Sequence, residues 1–164
     1  QEGDIISIDT GASYNGFFGD AACTFAVGKI SDDRQRLLDI TLESLHRGVN
    51  EVRVGATLGD IGYAIESLVI PSGFGLVRDY AGHGIGRRLH EAPQVPNYGK
   101  PGNGITLKAG MTFCIEPMVM SGSEEVKNLS DNWTVVTADG SDAAHFEHSL
   151  LVAPDGVEIL TPWE

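Results

Sequence analysis

Apolar residues crowd the start of the chain in a strand-like run, IISID, where Ile5, Ile6 and Ile8 lead into Asp9. A second run, FFGDAACTFAVG over residues 17–28, is rich in β-forming residues. Between them Ser13-Tyr14-Asn15-Gly16 carries an Asn-Gly turn signal, so the two runs are predicted to pair as a hairpin. The period then changes. Leu37, Leu38, Thr41, Leu42, Leu45 and Val49 recur at helical spacing, behind Ser31 and the acidic pair Asp32-Asp33. Gly55 interrupts the pattern. Thr57 and Asp60 stand at capping-box positions before Ile61, Ala64, Ile65 and Leu68, a second amphipathic helix that Pro71-Ser72-Gly73 ends. Beyond residue 73 the chain alternates between strands (111–118, 133–136, 145–153) and long loops, with turns at Pro101-Gly102-Asn103-Gly104 and Ser121-Gly122-Ser123. The order strand, strand, helix, helix, strands predicts an α+β fold. At 164 residues, one domain over 1–164 is expected.

Several acids break the apolar runs. Asp9 and Asp20 lie inside the two hairpin strands, Glu116 inside FCIEPM, and Glu147 inside HFEHSLLV. If Ser13–Gly16 forms the hairpin loop, Asp9 falls directly opposite Asp20, where like charges destabilise unless a shared proton or a cation offsets them. A register that leaves both acids at strand ends would remove that need. A lone buried carboxylate costs several kcal/mol or stays protonated. Four in one small domain are most economically read as converging on one metal site. In AGHGIGRRLHEAPQ, His83 sits among Gly82, Gly84 and Gly86, which would allow close backbone approach, and His90 follows seven residues later. Carboxylate oxygens with one imidazole suit divalent Mn, Fe, Co or Zn. Two such ions polarise a carbonyl and generate hydroxide from bound water.

Composition narrows the field. The net charge of −12, from 23 acids and 11 bases, argues against a nucleic-acid partner. No apolar run reaches the roughly 18 residues of a membrane span, and no signal peptide is visible. Two cysteines, Cys23 and Cys114, fit a reducing compartment better than a disulfide framework, and both are expected in the core. His145, two residues from Glu147, would point toward the site, whereas His148 would face away.

The motif GHGIGxxxHExP, with the order Asp9, Asp20, His83, Glu116, Glu147, resembles the metallopeptidases of the pita-bread fold. FCIEPM is similar to the FTIEPM of type I methionine aminopeptidases, and HFEHSLLV to their QxEHT strand. The ligand spacings of 11, 63, 33 and 31 residues also fit; prolidases and aminopeptidases P carry their two glutamates much closer together and tend to have Gly where Met118 stands. The resemblance spans essentially the whole chain. It implies a central curved antiparallel sheet flanked by helices, incomplete at its N-terminus, since family members carry about half a domain before the IISID strand. It implies two divalent metal ions. Asp9 would bind one alone, Asp20 and Glu147 would bridge both, and His83 and Glu116 would bind the other. Glu116 is also the implied general base and His90 the group at the scissile amide. Tyr80 and Trp133 are the implied neighbours of the substrate's methionine pocket.

The implied reaction is removal of N-terminal methionine from nascent polypeptides with a small second residue, by a metal-bridged hydroxide. The implied setting is a cytoplasmic monomer acting on peptide N-termini and associated with the ribosome. There are departures from the family pattern: Leu89 where an aromatic is frequent, Phe18 in place of His, Thr10-Gly11 after Asp9, and Ala143 at a position that helps to bind a monovalent cation in some members. The alternatives are an X-Pro peptidase of the same fold and a truncated, inactive binding module.

Overall fold

A computed structural model describes residues 1–163. The chain opens with the hairpin β1 (Ile5–Tyr14) and β2 (Phe17–Ala26), followed by helices α1 (Asp32–Asn50) and α2 (Leu58–Val69). Ten further strands follow: β3 (Gly75–Leu76), β4 (Gly82–Gly84), β5 (Glu91–Val95), β6 (Thr112–Ile115), β7 (Met118–Met120), β8 (Val126–Asn128), β9 (Val135–Thr137), β10 (Ala143–His145), β11 (Glu147–Ala153) and β12 (Gly156–Ile159).

The main sheet is antiparallel in the order β1-β2-β11-β6-β4-β5, with β12 also paired to β11. A smaller sheet runs β10-β7-β3, and β8-β9 form a separate ribbon. Both helices form for the expected local reasons. Ser31 accepts a hydrogen bond from the Arg34 amide at the start of α1. Thr57 and Asp60 complete a reciprocal capping box on α2. The inner faces of the helices, Leu37, Leu45, Ile61 and Ile65, are at most 1% exposed and join Phe113, Ile115 and Leu150 of the sheet in one core.

Three expectations need correction. The hairpin loop is the two residues Asn15-Gly16, both at positive φ (49° and 81°), the backbone that a tight hairpin requires. The register therefore shifts by two from the expected one: Asp9 lies opposite Ala22, and Asp20 opposite Gly11. A slip of two preserves the faces, so the two aspartates still share a side, now as diagonal neighbours. Secondly, residues 111–118 are not one strand. The chain leaves the main sheet at Glu116-Pro117 and enters the small one at Met118, where proline has no N–H to offer a ladder. Thirdly, residues 145–153 divide at Phe146, with β10 in the small sheet and β11 in the main one. Glu116 and Glu147 thus both stand where the chain crosses between sheets.

Candidate metal centre

Four strands and one crossover deliver five side chains to one place. Asp9 comes from β1, Asp20 from β2, His83 from β4, Glu147 from the first position of β11, and Glu116 from the β6–β7 crossover. Donor atoms of Asp9, Asp20 and Glu147 lie within 4.8 Å of one another. His83 Nε2 is 3.6 Å from Glu116 Oε1 and 3.9 Å from Asp20 Oδ2. Asp20 and Glu147 are buried, while Asp9 stands exposed at the rim.

The glycines flanking His83 have a steric cause. A Cβ on Gly82 would sit 2.1 Å from the Cys114 carbonyl oxygen, and one on Gly84 would sit 2.3 Å from that of Ala92. Strand β4 is squeezed between β5 and β6, so the close approach is to neighbouring backbone. Gly86 is different, because a Cβ there would meet only the Glu91 carboxylate at an ordinary 3.5 Å. A register shift between His83 and Gly84 on the β4–β5 ladder turns the strand at the imidazole.

The electrostatics are those of acidic groups crowded together, which repel one another once they are ionised. His83 Nδ1 lies 3.0 Å from the Gly84 carbonyl. A carbonyl only accepts, so Nδ1 carries a proton, which leaves Nε2 as the nitrogen able to offer a lone pair on the side of the carboxylates. Burial, then the charges of Glu147, Asp9 and Asp20, pushes the Glu116 carboxyl up to about 9. Burial, then Asp20, raises Glu147 to about 8. Asp20 is also raised, by burial and by Asp9. Glu147 Oε1 and His145 Nε2 are buried with no hydrogen-bond partner. His145 Nε2 faces Glu116 Oε2 at 3.8 Å, and burial lowers its pKa. A cation would satisfy the lone pair, the orphaned oxygen and the mutual repulsion at once. The residues present therefore fit a divalent metal.

The donors open onto a cavity of about 950 Å³, whose lining includes Asp9, Tyr80, His83, His90 and Glu116. Met118, Met120, Val135 and Val136 supply an apolar stretch of its wall. The His90 ring packs edge-on against His83 with centroids 4.3 Å apart. Its loop is held by Glu91, which accepts from the Arg88 amide. Trp133 is not brought to the cavity: it stands between β8 and β9, 87% exposed. Two departures from the family pattern fit each other, since Leu89 packs where a Cβ on Gly11 would come within 2.9 Å. His148 faces away, with its ring stacked on Trp163 at 4.5 Å.

The sequence reading missed three polar residues at the site. Asn97 is fully buried and donates to the Glu116 carbonyl. Ser149 and Thr161 bind the backbone of Asp20. None sits in a pattern that spacing alone picks out.

A family model for "Metallopeptidase family M24" matches residues 1–154. The chain belongs to this family. This M24 chain is 53% identical over 161 residues to methionine aminopeptidase 1 of Bacillus subtilis, and 52% identical over 161 residues to a methionine aminopeptidase of Clostridium perfringens. It spans 98% of its own length but 65% of the length of each of these relatives. A solved methionine aminopeptidase from Thermotoga maritima superposes with a TM-score of 0.96 at 49% identity, covering 98% of this chain and 65% of that one. A prolidase from Pyrococcus furiosus gives a TM-score of 0.77 at 26% identity, covering 100% of this chain and 43% of that one. The fold is the pita-bread fold, a curled antiparallel sheet with two helices. No helix among the described residues is long and apolar enough to cross a membrane.

Proposed function

We propose that this chain carries the catalytic centre of a metal-dependent aminopeptidase that removes methionine from the N-termini of polypeptides with a small second residue. The observation that carries the reading is the convergence of Asp9, Asp20, His83, Glu116 and Glu147 beside an apolar-walled cavity. Similarity to methionine aminopeptidases at about half identity supports the same reading. The greater structural distance of the prolidase speaks against the X-Pro alternative.

In this reading Asp9, Asp20, His83, Glu116 and Glu147 would hold the ions, Asp9 on one side of the cluster, His83 and Glu116 on the other, and Asp20 and Glu147 between them. Bound there, two divalent ions of the Mn, Fe, Co or Zn type would supply Lewis acidity toward the scissile carbonyl and toward water. The rest of the chemistry falls to the chain. Glu116 takes up the proton of the attacking water. His90, exposed beside His83, donates a hydrogen bond to the substrate carbonyl as negative charge develops there. Tyr80 and the methionine and valine wall receive the unbranched thioether side chain, which polarizable apolar surfaces suit. A peptide N-terminus, including that of a nascent chain at the ribosome, is the proposed partner, with the cytoplasm as the setting.

Methionine release from Met-Ala-Ser, after reconstitution with Mn or Co, tests the proposal. Release should occur, should vanish in Glu147→Ala, and should exceed cleavage of an X-Pro peptide. Binding of metal with no release from either peptide would overturn it.

A further inference from the structure

The ladder between β2 and β11 stops one rung short of the site. It pairs Glu147 with Ala22 and His148 with Ala21, and the next rung would join Ser149 to Asp20. That rung is present, but two hydroxyls relay it. The Asp20 amide donates to Ser149 Oγ at 3.0 Å rather than to a carbonyl. The Ser149 amide donates to Thr161 Oγ1 at 2.9 Å, and Thr161 Oγ1 donates in turn to the Asp20 carbonyl at 3.1 Å. Ser149 Oγ donates its own proton to the same carbonyl at 2.8 Å. Cys114 Sγ lies 3.3 Å from Ser149 Oγ, and its thiol also hydrogen-bonds the Glu147 carboxylate. Every donor and acceptor of the missing rung is accounted for.

A rung relayed through a side chain reaches further than the direct bond it replaces, so β2 and β11 part at this point. Beyond it the outer edge of β11 passes to β12, which pairs with Leu150 onward. The Leu160 amide on the Ser149 carbonyl and the Trp163 indole on the Glu147 carbonyl hold the last residues against the same turn of chain.

We propose that Ser149 and Thr161 are positioning residues whose hydroxyls set the separation of the Asp20 and Glu147 carboxylates, and hence the geometry of the bridge that these two would form between metal ions. The carboxylates have little else to fix them. Asp20 Oδ1 accepts from the adjacent Ala21 amide and the Glu147 carboxylate from the Cys114 thiol, while Glu147 Oε1 has no partner among the described residues. Their placement is therefore inherited from the backbone, and the backbone at Asp20 is held by the two hydroxyls. The inference rests on the metal-bridging role proposed above.

Titration with manganese(II) by calorimetry, together with the exchange coupling between paired Mn ions seen by electron paramagnetic resonance, tests it. Ser149→Ala should lose roughly 10–100-fold in affinity, the usual effect of removing a support behind a ligand, and its coupling should change. Ser149→Thr, which keeps the hydroxyl, should restore both. Thr161→Val removes one relay on the outer segment and should shift both readouts in the same direction. It decides the matter if Ser149→Ala does not fold. A merely structural role would lower the melting temperature without altering the coupling. Variants that fold and bind Mn with unchanged affinity and coupling would overturn the inference alone. A parent chain that binds no Mn would overturn the metal reading and this inference with it.

Discussion

In the absence of metal, raising the pH from 7 to 8 should destabilise the chain, because the native state holds protons that the unfolded state has released. Glu116 is pushed up to about 9 and Glu147 to about 8, while an unfolded glutamate titrates near 4.5. A carboxyl with a raised native pKa contributes stability that is complete below the unfolded value and lost as the pH climbs through the native one. Each proton bound only by the native state makes stability fall by about 1.4 kcal/mol per pH unit. Glu116 keeps its proton across this window and Glu147 keeps part of a second, so the slope should be about 1.5–2.5 kcal/mol per pH unit. Against a native stability of about 5–15 kcal/mol, that loss is readily measured.

Other titrations in this window act in the same sense: the raised Asp20 and the raised Cys114 thiol, whose unfolded counterpart begins to ionise at about pH 8. His145, lowered by burial, contributes in the opposite sense but only below its ordinary 6.5, and the lowered aspartates Asp4, Asp60, Asp131 and Asp139 act in acid. Urea unfolding followed by circular dichroism at pH 7.0, 7.5 and 8.0, with chelator present, measures the slope. Glu116→Gln should flatten it by about one proton. Saturating Mn should abolish the slope, because metal binding displaces the same protons and leaves native and unfolded states with none on these groups. A flat or rising stability in the metal-free chain would refute the burial and repulsion assigned to this cluster.

Three further outcomes are expected. Thr57→Ala removes the hydroxyl of the capping box and should cost about 1 kcal/mol in urea unfolding, with no change in metal binding. Gly82→Ala would drive a methyl into the Cys114 carbonyl, so it should abolish soluble expression or cost more than about 3 kcal/mol, whereas Gly86→Ala should be tolerated. His90→Ala should reduce methionine release about 100-fold or more while calorimetry finds Mn affinity unchanged; equal losses in both would mean that the imidazole is a ligand.

Asp20, Glu116 and Glu147 stood out as candidate donors because each is an acid set in an apolar run; Asp9 stood out the same way, although its strand is exposed in the structure. That argument survives an error in register: the two-residue slip at Asn15-Gly16 moved Asp9 off Asp20 but left both on one face. The strand breaks at Glu116-Pro117 and Phe146 were not legible. The apolar pattern continues through them, and only the division into two sheets shows where the chain changes layer. The short strands β3 and β4 were hidden for a related reason, since their glycines are chosen by neighbouring carbonyls and leave no periodic signature. The roles of Ser149 and Thr161 depend on contacts 129 and 141 residues away along the chain, which no local pattern encodes.

The hairpin that opens the chain stands at the end of the main sheet, with β1 exposed along almost its whole length and, among the described residues, paired to β2 alone. Such a unit opens more readily than the core strands that carry Glu147 and His83. A cation shared between Asp9 on this flap and Glu147 in the interior would act as a clasp. Closing it would slow local opening, with a gain that grows with free ion concentration. Amide hydrogen exchange along residues 5–14 would then track ion occupancy. The outermost strand becomes the part of the molecule that reports most sensitively, and at a distance from any bound peptide, whether the centre is filled.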